Sequence, residues 1–307
     1  SHTGASFNSI NPNGDQTASL GAFYDQNYTG AGVRIEEIVK NGPLDKASLN
    51  LQAGAIIEAI DGESIIVGRD LAQYLNRKAG KNTLLSVLEG TTRRELIVKP
   101  ISIGEENGLL YRRWVLRNQA EVEKLSNGQL GYVHIPGMND GAYRTTYEDV
   151  MGKYAGKKGI VIDTRFNGGG DLVADLATFL SGKKFMDYTT DTRSIGYEPN
   201  FRWTKPSISL VNEANYSDGH CYAFAMQDQK IGKLVGQQVP GTCTFASWEA
   251  LQDNSIRWGV PPVGVKAMNG KYLENWPTDP DIKVWNEYEL VWKGKDQQLE
   301  AAVKALL

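Results

Sequence analysis

From Gly32 the chain runs as short apolar stretches separated by polar turns, at first with the spacing of strands. Gly32–Val39 reads as a strand with Val33, Ile35 and Ile38 facing a core. Asn41-Gly42-Pro43 predicts a turn and Leu44–Leu49 a short helix. Ala55–Ile60 predicts a second strand, closed by the turn Asp61-Gly62. Asp70–Leu75 opens an amphipathic helix whose acidic first residue suits the helix dipole. Thr83–Leu88 and Arg94–Val98 add two strands before Pro100 ends the unit. From about Ile103 the spacing lengthens. Helices are predicted around Tyr111–Leu125, Thr146–Tyr154, Asp171–Leu180 and His220–Gln227, alternating with strands Leu130–Ile135, Gly159–Asp163 and Ile208–Val211. The last segment places Leu299, Ala302, Val303 and Leu306 on one helical face. Such alternation specifies an α/β core with a largely parallel sheet. Three segments follow: an irregular, polar lead-in over 1–17, a small mixed domain over 18–102, and an α/β domain over 103–307.

Composition narrows the classes of function. With 307 residues, 41% hydrophobic and 22% charged, the chain is long enough for two globular domains. Net charge is −3 without a basic run, which argues against nucleic acid as a partner. No apolar stretch is long enough to cross a membrane, and no signal peptide is visible. The first residue is Ser rather than Met, so a fragment or processed form is expected. Histidines at 2, 134 and 220 are scattered, and Cys221 and Cys243 form no CxxC pair, so neither a metal nor a cofactor is expected. The two cysteines can form one disulfide in an oxidising compartment or remain buried thiols.

Two blocks carry candidate chemistry. Ser217 lies where the buried strand Ile208–Val211 passes through a polar turn into a helix. Helix starts expose backbone N–H groups without intrahelical partners, which suits a nucleophile whose substrate develops an oxyanion. The plainer role for Ser217 or Asp218 is an N-cap. Asp163-Thr164-Arg165-Phe166-Asn167-Gly168-Gly169-Gly170-Asp171 also follows a buried strand and exposes backbone N–H groups. It lacks the Gly-Lys-Ser/Thr ending and the GxGxxG spacing of nucleotide loops, so a second oxyanion donor fits it better.

The rhythm over residues 18–102 resembles a PDZ domain. Leu20-Gly21-Ala22-Phe23 looks like the carboxylate-binding loop of that family, and Gly54–Gly62 like its characteristic strand and turn. Such a domain binds a peptide as an added strand. Beyond it, Gly131–Met138, Asp163–Gly170, Asn212–Gly219 and Glu274–Asp281 occur in the order found in the tricorn proteases and their bacterial homologues, relatives of the C-terminal-processing peptidases. The resemblance covers nearly the whole chain. It implies a serine peptidase acting on peptides or unfolded polypeptides, with a PDZ-like domain followed by an α/β catalytic core.

By that resemblance Ser217 is the nucleophile, His2 of the Ser1-His2 pair its base, and Glu274 with Ser1 completes the charge relay. Gly170 and Asp218 supply the oxyanion-hole N–H groups, with Gly169 as a substitute for Gly170. The lysine of a Ser–Lys dyad would fall at Thr242, so a dyad is disfavoured. His134, in an apolar strand, reads as a core or edge residue. His220 is poorly aimed from a position three residues beyond Ser217. Ala214-Asn215-Tyr216 replaces the small, serine-rich run the family carries before the nucleophile, and it sets Tyr216 beside Ser217. That departure leaves a catalytically inactive, peptide-binding relative as the alternative. The resemblance also implies a homo-oligomer, and the cysteine pair favours an extracytoplasmic location, periplasmic or secreted.

Overall fold

The computed structural model describes residues 2–7 and 14–307. They form two compact units, one over 14–116 and a second made of 2–7 with Arg117–Leu307. The boundary falls inside a helix, Ile103–Leu125, that begins earlier than its apolar pattern suggests. Its start is fixed by a capping box. The Ser102 hydroxyl accepts the Glu105 N–H at 3.2 Å, and the Glu105 carboxylate accepts the Ser102 N–H at 2.8 Å.

In the first unit the strands Ala22–Tyr24, Val33–Ile38, Ile56–Ile60, Thr83–Glu89 and Thr92–Val98 lie side by side in that order, all antiparallel. Ile35, Ile57, Leu85 and Val87 point into its core, each removed from water. Burial of side chains this size contributes roughly 1.5–3 kcal/mol each. The Asp61-Gly62 turn forms as expected, both residues at positive φ, 50° and 81°. The short helix expected over Leu44–Leu49 does not form. Separate turns replace it, with Asp45 N–H on Gly42 O and Leu49 N–H on Lys46 O. So short a segment cannot repay the cost of helix nucleation. Asn50 then leaves the helical region altogether at φ 45°.

The second unit is built on a five-stranded parallel sheet in the order Leu130–His134, Gly159–Asp163, Ser207–Val211, Lys233–Gly236 and Ile282–Lys283. Every residue of Gly159–Asp163 and Ser207–Val211 is buried, as strands covered on both faces require. Leu176 and Phe179 of the helix Val173–Leu180 pack with Tyr222 and Met226 of the helix Asp218–Asp228 over Val133 and Ile162. Tyr222 OH and Ser209 Oγ hydrogen-bond at 2.8 Å, which fixes the Asp218–Asp228 helix on its own strand.

A buried ionic cluster closes the sheet end. Asp163 accepts from Tyr132 OH at 2.7 Å and from the Arg165 guanidinium at 2.7 Å, while Arg165 also reaches Asp296 at 2.8 Å. Asp296 in turn caps the C-terminal helix Gln297–Leu306 by accepting from Leu299 N–H. Arg165 holds the Asp163 carboxyl below its usual range despite complete burial.

The lead-in is not wholly irregular. Gly4–Phe7 is a strand that pairs antiparallel with Ile256–Gly264, which pairs on its other side with Thr244–Ala250. This pairing belongs to the second unit and anchors the residues next to His2.

Candidate active site

Ser217 is held by asparagines. Asn212 Oδ1 accepts the Phe166 N–H at 3.0 Å and the Ala214 N–H at 3.3 Å. Asn215 accepts the Asn212 N–H at 2.9 Å and donates to Thr164 Oγ1 at 3.1 Å. These bonds join the ends of two neighbouring strands and force a sharp turn. Ser217 emerges from it at φ 56° and ψ −123°, and its hydroxyl makes no capping bond to the Asp218–Asp228 helix that follows. A non-glycine residue in such a region stores about 1–3 kcal/mol of strain, a pattern concentrated at functional sites. Its backbone N–H is tied to Thr242 Oγ1 at 3.0 Å. The plainer N-cap role is therefore not the one Ser217 plays through its side chain.

The glycine loop lies against this turn. Asn167 donates to Ile135 O at 2.8 Å and accepts the Gly169 N–H at 2.8 Å, which occupies Gly169. A Cβ on Gly169 would stand 2.5 Å from Ser217 Cβ, and one on Gly170 only 1.9 Å from Met138 O. Both residues sit at positive φ, 90° and 144°. Only glycine allows this approach. Among the described residues, the Gly170 and Asp218 N–H groups have no acceptor. The Asp218 carboxylate is engaged elsewhere, accepting from Leu172 N–H at 2.7 Å and Val173 N–H at 3.2 Å, with burial pushing its pKa up.

The three histidines have different surroundings. His220 Nδ1 accepts the N–H groups of Thr242 and Cys243 at 3.1 and 2.9 Å. Its proton must then sit on Nε2, facing Thr278 Oγ1 at 3.0 Å. Burial pushes its pKa down to about 4, so it is a neutral brace for the Thr242–Cys243 backbone. His134 Nε2 lies 3.0 Å from Arg165 O in the sheet. His2 is only 2% exposed, and its ring stacks on Tyr216 with centroids 4.5 Å apart. Neither ring nitrogen hydrogen-bonds to another described residue. Burial lowers its pKa, and the negative charge of Glu274 partly opposes that shift.

Glu274 pairs through its backbone with Thr242, the residue that holds the Ser217 N–H. Ser217, Thr242, Glu274, Tyr216 and His2 are thus linked through direct neighbours, while Ser1 lies outside the described residues. Thr242 and Tyr216 stand out in the sequence only as departures from a pattern. Their contacts, with a residue 25 positions away and with His2, have no local signature.

Cys221 and Cys243 form a disulfide, with Cα atoms 5.0 Å apart. It lies in the wall of a pocket of about 300 Å³ that Ser217, Gly170 and Asp218 also line. Among the described residues no cluster of His, Cys, Asp and Glu could hold a metal. No helix among them is long and apolar enough to cross a membrane.

In the other unit, Leu20 is buried and Ala22–Tyr24 is an edge strand of the sheet. The Gly21 N–H is already bonded to Ser19 Oγ at 2.9 Å, and that hydroxyl meets the Glu106 carboxylate. Phe23 is 40% exposed beneath the Arg113 guanidinium, 5.3 Å from its ring centroid.

The arrangement combines a strained serine, free N–H groups on two sides of it, and a pocket. That is the equipment of acyl transfer. Comparison with known proteins agrees with it: residues 129–284 match the model of peptidase family S41, and residues 29–102 that of the tricorn protease PDZ domain. The chain belongs to peptidase family S41. Within it the likeness is to the tricorn branch. The chain is 28% identical over 257 residues to the tricorn protease of Thermoplasma acidophilum, covering 83% of this chain and 24% of that one. It is 28% identical over 270 residues to a tricorn protease homolog of Saccharolobus solfataricus, covering 87% and 25%. It therefore spans about a quarter of the length of these curated relatives. A tricorn protease crystal structure superposes on 95% of this chain and 29% of that one, with a TM-score of 0.81 and 23% identity, a likeness of fold.

Proposed function

We propose that this chain is a serine peptidase that hydrolyses peptide bonds of peptides or unfolded polypeptides. Ser217 Oγ attacks the scissile carbonyl, and His2 takes the hydroxyl proton. The Gly170 and Asp218 N–H groups hold the oxyanion. His2 then returns the proton to the leaving amine, and water hydrolyses the acyl-enzyme by the same route. Glu274 stabilises the imidazolium, with Ser1 as the auxiliary hydroxyl. Leu20 and Gly21 lead into the edge strand that begins with Ala22 and Phe23, to which a peptide can add. The observation that carries this reading is the strained Ser217 with two N–H groups lacking acceptors in one pocket.

The test is cleavage of an unfolded polypeptide such as casein. Ser217→Ala is expected to lower turnover by about 10⁶-fold while the fold, read by near-ultraviolet circular dichroism, is unchanged. Undiminished cleavage by that variant would refute the assignment. One observation favours a second reading, a peptide-binding relative without catalysis: the His2 ring stacks on Tyr216 and has no hydrogen bond to Ser217. A peptide that binds with saturation and is never cut would establish it.

A further inference from the structure

We propose that the pocket beside Ser217 is the subsite for the residue preceding the scissile bond, and that it selects an uncharged, apolar side chain. This inference rests on the peptidase reading and names the substrate class for the same site. Ser217 and both candidate oxyanion donors, Gly170 and Asp218, line the pocket, so a carbonyl bound there places its own residue's side chain at the opening.

Below that opening one wall is a single face of the Asp218–Asp228 helix. Cys221, Phe224 and Ala225 recur on it at helical spacing. The facing wall is Cys243, Val265 and Leu273, with the disulfide joining the two walls. Leu273 and Cys243 are buried. The charged lining groups do not change this character. Asp171, Asp228 and Lys266 are all exposed to solvent, and the buried Asp218 carboxylate is already satisfied by two backbone N–H groups. Asp228 is also about 15 Å along the helix from its start. A charged side chain entering the pocket would lose its hydration with no buried partner in return. A pocket of about 300 Å³ is large enough to take Leu or Phe.

The experiment uses four peptidyl aminocoumarin amides that differ only in that residue, Leu, Phe, Arg or Asp, alongside fluorophosphonate labelling of Ser217. The expected result is kcat/KM for Leu and Phe about 100-fold above Arg and Asp. Phe245→Asp, an exposed lining position that tolerates substitution, is expected to raise the Arg substrate relative to Leu by about 10-fold. Ala225→Phe, which fills the pocket, is expected to reduce cleavage of the Leu and Phe substrates at least about 10-fold. Labelling of Ser217 with Arg or Asp preferred, or with preference unmoved by both variants, would overturn the specificity while leaving the peptidase reading standing. Absence of labelling would overturn the peptidase reading and this inference with it.

Discussion

At the scale of single residues, the proposed chemistry depends on how much the protein disfavours charge on His2. Burial holds the imidazole below the ordinary value of about 6.5, and Glu274 works against that shift. The base must be neutral to accept a proton, so the acid limb of kcat/KM is expected below pH 6.5. Glu274→Gln removes the charge that favours imidazolium. It should move that limb to still lower pH and cut turnover by about 10²-fold, since the transition state contains the imidazolium. A pH–rate profile for both proteins checks this, and an unmoved limb would disconnect Glu274 from His2. The placement of Ser217 and of the Gly168–Gly170 loop at the ends of buried strands was legible in the sequence, whereas the choice of Gly170 and Asp218 as the proposed donors came from the family resemblance. The residues around them were not legible there. Thr242 braces the Ser217 backbone through a hydroxyl, and His220 braces Thr242 in turn, by contacts that close only in three dimensions.

Secondary-structure elements divide by how they bury themselves. Gly159–Asp163 and Ser207–Val211 are covered on both faces and carry the apolar residues Ile160, Val161, Ile162 and Ile208, Leu210, Val211 in short segments bounded by polar turns, so their positions follow from the sequence. Thr244–Ala250 and Ile256–Gly264 are mostly exposed, with Trp248 47% and Val260 47% accessible, and no alternation marks them. The strand Gly4–Phe7 is exposed throughout and exists by pairing with Ile256–Gly264. The disulfide is the one covalent tie, among the described residues, between the Asp218–Asp228 helix and the Thr242–Cys243 segment. Its ring closes over a separation of 22 residues, worth about 3 kcal/mol by chain entropy. Replacing Cys221 and Cys243 together by Ser should lower the urea midpoint accordingly. Because the segment carries Thr242, turnover should fall as well. A double variant with unchanged midpoint and turnover would show that the helix holds Thr242 in place unaided.

For the whole molecule, the division of labour follows the two units. One is an antiparallel domain matched by the tricorn PDZ model, and the other carries Ser217, His2 and Glu274 together. That His2 belongs to the second unit, although the whole first unit separates it from Ser217 in sequence, follows from the pairing of Gly4–Phe7. A short exposed strand gives no hint of its distant partner in the sequence, so family resemblance was needed to associate His2 with Ser217. The most direct test of the central claim is intact mass after treatment with a serine-directed fluorophosphonate, on the chain and on its Ser217→Ala and His2→Ala variants. One adduct per chain, mapped to Ser217 and lost in both variants, is the expected result. A folded chain that takes up no adduct, or one labelled equally well without His2, would contradict it.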